Sequence, residues 1–337
     1  MKVGIIGCGK VSSAGHIPAF RKLGLDIIGI ADSNKTALKR IPLTRRYTDY
    51  KELLKQDLDI VSICTPPFLH YEMCLEAAER GINILVEKPL ALSIKEGEAM
   101  KKAAERNNVK LSVMHNYKFL DPFIKAKRMQ ETGQLGRLLS IHTLVHGSSP
   151  PARENWKLDE KKSGSMILQW NHPLYLHTWF AGNPKSVYAI GKKIIPDYPS
   201  IADMQILIEF EDCTGFIEMS QFSACPRFSF GITGTGASLA LQPTTFKVLA
   251  PSTSIEVIDE FLTSISNIGK TLRVFVEMRQ KPHMRYTWGS HFKLIKQFVE
   301  SVKEDVEVPI NVDEGIMSIK LAQAIAESIQ SGAKVTL

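Results

Sequence analysis

In the first third of the chain, short apolar runs end in glycine, proline or charge, and amphipathic stretches separate them. Val3, Ile5 and Ile6 make the first run, Leu25-Asp-Ile-Ile-Gly-Ile-Ala31 the second and Asp59-Ile-Val-Ser-Ile-Cys64 the third; Asn83-Ile-Leu-Val86 and Lys110 to Met114 follow. Runs this short and this continuously apolar read as strands buried on both faces. Helical spacing fills the intervals: Gly15 to Leu23, with Pro18 setting the start, Thr36 to Arg40, Tyr50 to Lys55, His70 to Arg80 with Gly81 as cap, and Ser93 to Asn107. Strand alternating with helix predicts a parallel sheet with right-handed crossovers and a ligand at the strands' carboxyl ends. Gly7, Asp32, Thr65, Glu87-Lys88 and His115-Asn-Tyr117 all follow such ends.

Past Pro122 the pattern changes. A helix from Phe123 to Glu131 stops near Gly133 and Gly136, and strand-like segments then dominate: Leu138 to Val145, Ser186 to Gly191, Met204 to Phe210, Thr214 to Phe222, Arg227 to Ile232 and Ser238 to Leu241. Turn residues punctuate them as in an antiparallel meander, which predicts an α+β second domain. Amphipathic helices from Ser290 to Lys303 and from Asp313 to Ser331 end the chain. The expected division is a dinucleotide domain at 1–120, a substrate and oligomerisation domain at 121–288, and closing helices at 289–337. An open sheet with helices on one face needs a cover on the other, so a homodimer or homotetramer is expected.

The first run breaks into Gly7-x-Gly9. Gly7 permits a tight turn, Gly9 puts no side chain between backbone and pyrophosphate, and a helix starting there presents N–H groups, at Lys10 and Val11, to the phosphates. Ser12 replaces the third glycine of G-x-G-x-x-G, so context decides the reading. That context is Asp32, about 20 residues on, where a carboxylate binds an adenosine ribose hydroxyl. A glycine turn used only for packing leaves Asp32 without a use. NAD is the expected cofactor, with Ser33, Lys35, Arg40 and Arg45 leaving room for NADP.

At 337 residues and 44% hydrophobic composition the chain can bury two cores. No apolar run approaches the roughly 18 residues of a membrane span, and the N-terminus enters a strand without a leader pattern, so a cytoplasmic protein without membrane contact is expected. Five cysteines (Cys8, Cys64, Cys74, Cys213, Cys225) include no C-x-x-C pair and read as buried thiols, without disulfides or a zinc site. The net charge of +7 is spread over isolated pairs such as Arg45-Arg46 and Lys192-Lys193. With no basic block among aromatics, nucleic acid is not an expected partner; a solvated surface is, or an anionic substrate.

Together, Gly7-x-Gly9, Ala31-Asp32, Cys64-Thr-Pro-Pro67 with His70, Val86-Glu-Lys-Pro89, His115-Asn-Tyr117 with Phe119 and Pro122, and Gly133-x-x-Gly136 carry a resemblance. With the tail from Asp313-Glu-Gly315 to Glu327-Ser328, Gly332 and Val335, the chain resembles the glucose-fructose oxidoreductase and inositol dehydrogenase (Gfo/Idh/MocA) family over nearly its whole length. The resemblance implies an α/β chain: an N-terminal Rossmann domain with a doubly wound parallel sheet, then an α+β domain on an open, largely antiparallel sheet. It implies NAD(P)-dependent oxidation or reduction of sugars, cyclitols and their derivatives. Cofactor contacts are then expected from Gly7, Gly9, Lys10, Val11, Asp32, Thr65, Pro66, His70, Glu87, Lys88 and Asn116, and a substrate contact from Tyr117. Lys88 matches the family lysine beside the nicotinamide. Hydride leaves a carbinol carbon only as its hydroxyl loses a proton, so an ammonium on that oxygen stabilises the developing alkoxide. Pro89 makes Lys88–Pro89 a candidate cis peptide.

The family's second signature, glycines, an aspartate and four residues later a helix-opening histidine, is only partly kept. Ser163-Gly164 and Trp179-x-x-Gly182 fit and His172 takes the histidine position, but Leu168 replaces the aspartate and Tyr175 a second one three residues beyond the histidine. The expectation is that Lys88 and His172 form an acid/base pair in which His172 lacks an acidic partner. Leu168 then faces an apolar or acetamido-like group, and Lys157 meets negative charge. A one-residue shift puts Gln169 in place of Leu168. Alternatively His172 is a satisfied helix-start residue, and Tyr175, Leu176 and Trp179 read as core. No metal is expected: His172 and His177 do not share a helix face, and His142 and His146, on one strand face, have no carboxylate or cysteine nearby in sequence. Two other classes stay open, a glycosidase that oxidises its sugar transiently and a non-catalytic nucleotide-binding regulator; the intact Lys88 argues against the regulator.

Overall fold

The computed structural model describes residues 1–42, 45–147, 159–194, 201–249 and 287–337. The chain divides into two compact units, one of Met1–Asn116, Glu154–Asn171 and Ser290–Ala322, the other of Tyr117–Arg153, His172–Gly289 and Gln323–Leu337.

The first unit holds a six-stranded sheet made of β1 (Lys2–Ile6), β2 (Asp26–Ala31), β3 (Arg46–Tyr47), β4 (Ile60–Ile63), β5 (Asn83–Val86) and β6 (Leu111–Val113), in the order β3-β2-β1-β4-β5-β6. Every pairing is parallel. Val3, Ile5, Ile60, Val61, Ile63, Ile84, Leu85 and Val86 are fully buried, as strands covered on both faces require. Three of the crossover helices begin where the sequence supplies a cap. Asn34 accepts from the N–H groups of Thr36 and Ala37 ahead of Lys35–Lys39, Asp49 caps Tyr50–Leu54, and Ser93 with Glu96 forms a capping box for Ile94–Arg106. Strand order reverses between β1 and β4, so a crevice opens at their carboxyl ends.

The first helix starts where the glycine turn predicts, and only the start read from Pro18 departs from expectation. It begins at Lys10, directly after the glycines, and passes through a π turn, Ser12–His16, into the α-helix Ile17–Lys22. Pro18 has no N–H to give to the preceding turn, and its ring crowds an α-helical carbonyl four residues back; the wider π turn accommodates it without ending the helix.

In the second unit, β7 (Leu138–His146), β8 (Ser186–Lys192), β9 (Asp203–Glu209), β10 (Thr214–Ser220), β11 (Arg227–Gly234), β12 (Ser238–Leu241), β13 (Phe246–Leu249) and β14 (Val335–Thr336) form one sheet, ordered β13-β12-β11-β7-β10-β9-β8-β14. It is mostly antiparallel but not a plain meander, because β7 lies parallel to β10 and antiparallel to β11. One face is the core, where Ile141, Phe230 and Ile232 pack with Tyr175, Leu176 and Phe180. On the other, the register aligns His142, Phe216, Leu207 and Tyr188 across four strands, with Leu207 51% and Tyr188 40% exposed.

The C-terminal helices do not form a third body. Ser290–Ala322 belongs to the first unit, where Ser112 Oγ donates to the Ile310 carbonyl (2.8 Å) and Gly97 lies against Ile316. Gln323–Leu337 belongs to the second, where Ser328 Oγ accepts from the Ala189 N–H (2.9 Å) and β14 pairs with β8. All five cysteines are free; Cys8, Cys74 and Cys213 are buried, but Cys64 is half-buried and Cys225, in the turn before β11, is exposed, against the buried-thiol reading. Among the described residues no helix is long and apolar enough to cross a membrane.

Candidate active site

The glycine turn has the shape a pyrophosphate needs. Gly7 has φ +92°, and a Cβ there would fall 2.6 Å from the Cys64 carbonyl oxygen, so no other residue fits. A Cβ on Gly9 would meet nothing within 4 Å, which leaves the backbone open on the side where phosphates lie in such turns. Ser12 is tolerated because it points inward: it is buried and its hydroxyl donates to the Gly9 carbonyl at 2.9 Å. Asp32 accepts the Cys8 N–H on Oδ2 and the Asn34 N–H on Oδ1, each at 2.7 Å. Its half-buried carboxylate is thereby aimed, and each oxygen keeps a lone pair for a ribose hydroxyl. Lys10 is exposed, and Val11, Thr65 and Pro66 are half-buried along the same rim. These residues fit an NAD molecule.

Three residues expected to touch cofactor also have polar partners within the protein. His70 is fully buried, with Nδ1 2.9 Å from the Pro89 carbonyl and Nε2 3.0 Å from that of Thr65; burial pushes its imidazole below the ordinary histidine range. It ties the Thr-Pro-Pro loop to the Glu-Lys-Pro turn. Asn116, also buried, directs its amide to Ser290 Oγ (3.2 Å) and lies 3.4 Å from His291 Nδ1. Glu87 accepts from His16 Nε2 at 2.9 Å on Oε1 and from the Lys88 N–H at 3.2 Å on Oε2, and His291 Nε2 stands 3.7 Å away.

Sequence reading missed His16, Ser62 and His291. A signal existed: His16 shares a helical stripe with Ala19, Phe20 and Leu23, and His291 with Leu294, Ile295 and Phe298, so each is a polar residue on an apolar face. Ser62, whose Oγ lies 2.7 Å from His16 Nδ1, gave none. The ligand atoms of His16, Glu87 and His291 lie within 4.8 Å of one another, near enough for a divalent ion, and the His16–Glu87 hydrogen bond is the alternative use of the same atoms.

Lys88 precedes a cis Lys88–Pro89 bond, and its Nζ donates to the Gln169 carbonyl at 2.7 Å. The two alternatives for the missing aspartate, Leu168 and Gln169, lie on this same segment. Leu168 is buried, and a Cβ on Gly164 would meet its Cδ2 at 2.7 Å, so it packs on its own loop. Gln169 turns its side chain back to Ser163 Oγ (2.9 Å) and offers its backbone oxygen to the lysine. Gly164 itself has φ +71°, the left-handed backbone for which this position keeps glycine. Lys157 lies outside the described residues.

In the second unit, His172 opens the helix His172–Ala181 and its ring stacks on Tyr117, centroids 4.0 Å apart and 10° from parallel. It has a phenolic partner that the sequence reading did not name. The Tyr175 hydroxyl lies 2.6 Å from His172 Nδ1 and accepts the Tyr117 N–H at 3.1 Å, so a buried phenol occupies the place of the second aspartate. The core reading of Tyr175 holds for its ring and not for its oxygen. His146 likewise has a carboxylate that sequence distance concealed, Glu218 on the neighbouring β10, at 2.8 Å.

Residues 1–115 match the model of an oxidoreductase family with an NAD-binding Rossmann fold, and residues 123–240 match the C-terminal domain model of the same GFO/IDH/MocA family. The chain is similar to the uncharacterized oxidoreductase YrbE of Bacillus subtilis (25% identity, 99% of this chain and 96% of that protein). It is similar also to the scyllo-inositol 2-dehydrogenase (NADP+) IolW of the same organism (23%; 97% and 93%). Among solved structures it resembles the WlbA dehydrogenase of Bordetella pertussis, determined with NADH and UDP-GlcNAcA, at a TM-score of 0.85 and 22% identity over 100% of this chain and 97% of that one. Matches to both domain models, around a glycine turn and a carboxylate that fit the dinucleotide, show that this chain is an NAD-binding oxidoreductase belonging to the GFO/IDH/MocA family.

Proposed function

We propose that the protein oxidises a secondary alcohol of a sugar, cyclitol or sugar derivative, or reduces the corresponding ketone, with NAD as cofactor. The observation that carries this reading is Lys88, an ammonium held at 2.7 Å by the Gln169 carbonyl and set just past the end of a buried parallel strand. Sugar and cyclitol chemistry in the names of the relatives supports the substrate class. NAD, when bound, supplies the hydride acceptor. Lys88 donates a hydrogen bond to the reacting oxygen and stabilises the charge that develops there. In the second unit, His172 has a ring oriented by Tyr175 and a face held by Tyr117, which suits an imidazole that takes up a proton. Gly7, Gly9 and Asp32 supply binding and not chemistry.

Asp32 makes NAD the preferred cofactor, because a ribose 2′-phosphate meets its carboxylate and forfeits a charge-assisted hydrogen bond of about 1.5–3 kcal/mol. Calorimetry on the cofactor-free protein should therefore give a Kd for NAD about 10-fold or more below that for NADP. Tighter NADP binding contradicts the assignment.

The row His142, Phe216, Leu207, Tyr188 supports self-association through the open sheet face, as a homodimer or homotetramer. Light scattering at micromolar concentration should report a multiple of 37.7 kDa, and Leu207→Glu should shift it towards the monomer. A wild-type mass equal to one chain rules this interface out.

A further inference from the structure

We propose that His16 and His291 are positioning residues for Lys88 that act through Glu87: the two imidazoles hold a buried carboxylate, and that carboxylate fixes the Lys88 backbone and keeps the Lys88 ammonium protonated. The inference rests on the role given to Lys88 above. His16 comes from the π turn behind the glycines, Glu87 from the end of β5 and His291 from the helix Thr287–Glu304; Ser62 of β4 and Asn116 support the two histidines from behind. All five lie in the first unit. His16 is fully buried, Glu87 8% exposed and His291 7% exposed.

A carboxylate so buried takes up a proton unless partners hold the charge. Glu87 has them on both oxygens, His16 Nε2 at 2.9 Å on one and the Lys88 N–H at 3.2 Å on the other. Burial pushes Glu87 up, but His16, His291 and Lys88 outweigh it and bring the carboxyl down to about 2. Burial likewise pushes His16 down, while the Cys64 sulfur and the Glu87 carboxylate raise it to about 10. The pair is thus an imidazolium and a carboxylate across the neutral range. His291 faces Glu87 with Nε2, and the Asn116 amide nitrogen stands at its Nδ1, an arrangement in which Nδ1 accepts and Nε2 carries the proton towards the carboxylate. Lys88 is among the charges that hold Glu87 ionised, and Glu87 in turn accepts the Lys88 backbone N–H at 3.2 Å, which places the carboxylate beside the residue that carries the ammonium.

Competitive acetylation of the full-length, cofactor-free protein with acetic anhydride across a pH series, read by mass spectrometry on the Lys88 peptide, gives the pH at which this nitrogen becomes nucleophilic. In Glu87→Gln that pH should fall by about one unit, the effect of removing one adjacent opposite charge. His16→Leu, which takes away the imidazolium and leaves Glu87 ionised at the alkaline pH where a lysine titrates, should raise it, whereas Glu87→Asp, which keeps the anion, should stay near wild type. Melting temperature and NAD binding identify the variants that fold, and either Glu87→Gln or His16→Leu suffices. An unchanged labelling pH in a folded, NAD-binding Glu87→Gln protein overturns the proposal and leaves the cluster a structural brace. The labelling needs no substrate, so it succeeds or fails independently of the dehydrogenase reading.

Discussion

Lys88→Met should bind NAD as the wild type does and lose about 100-fold or more in kcat, the usual effect of removing one general acid or oxyanion donor. The two quantities separate because they depend on different residues. In the proposed function cofactor affinity comes from the glycine turn and Asp32, whose geometry is fixed by Cys8 and Asn34 and not by the lysine. The proposed mechanism requires an ammonium at the reacting oxygen, and methionine keeps the length of the side chain while removing every donor. Fluorescence titration with NADH and initial rates on the same preparation supply both numbers. Normal turnover in the mutant would mean that Glu-Lys-Pro is only a turn.

His172→Ala should cut kcat by about 10²–10⁴-fold with little change in NAD affinity, as expected for loss of a general base. Tyr175→Phe gives the more specific signal. It keeps the buried ring in the core cluster and removes one oxygen, and with it both the 2.6 Å contact to His172 and the acceptor of the Tyr117 N–H. It should lower kcat by about 10-fold and move the acidic limb of the pH–rate profile, since the imidazole loses the group that sets its orientation and proton. Leaving the Tyr117 N–H unpaired should also cost about 1–3 kcal/mol of stability, seen as a lower Tm. A mutant less stable but with an unshifted pH profile would confine Tyr175 to packing. If His172→Ala were active and Gln169→Ala inactive, the histidine would be a helix-start residue and nothing more.

The strands and the rim of the first unit were legible because burial on both faces leaves little choice of residue, and because glycine at Gly7 and a carboxylate at Asp32 are required by local geometry. The position of Lys88 directly after β5 was legible too, while its catalytic role rests on the proposed function. What escaped has one physical character: side chains brought together by distant segments. His16, Glu87 and His291 converge from three elements, and nothing in spacing along the chain links residue 16 to residue 291. Tyr175 was read as core because its ring is core, while its bond to His172 is made by one atom. The same holds for the sheet of the second unit. Its strands were read singly, but β7 inserted between β10 and β11 is a matter of topology, which periodicity does not encode. Pro18 misplaced a helix start because the π turn that absorbs it has no sequence signature of its own.

The central claim is hydride exchange between NAD and a secondary alcohol, and it is tested most directly by following the nicotinamide absorbance of the purified protein with NAD and a panel of sugars, cyclitols and sugar nucleotides. The account predicts that at least one member of the panel gives NADH in step with its own oxidation to a ketone, with wild-type protein and not with Lys88→Met. Cleavage of chromogenic glycosides with no net NADH from any alcohol of the panel would contradict it.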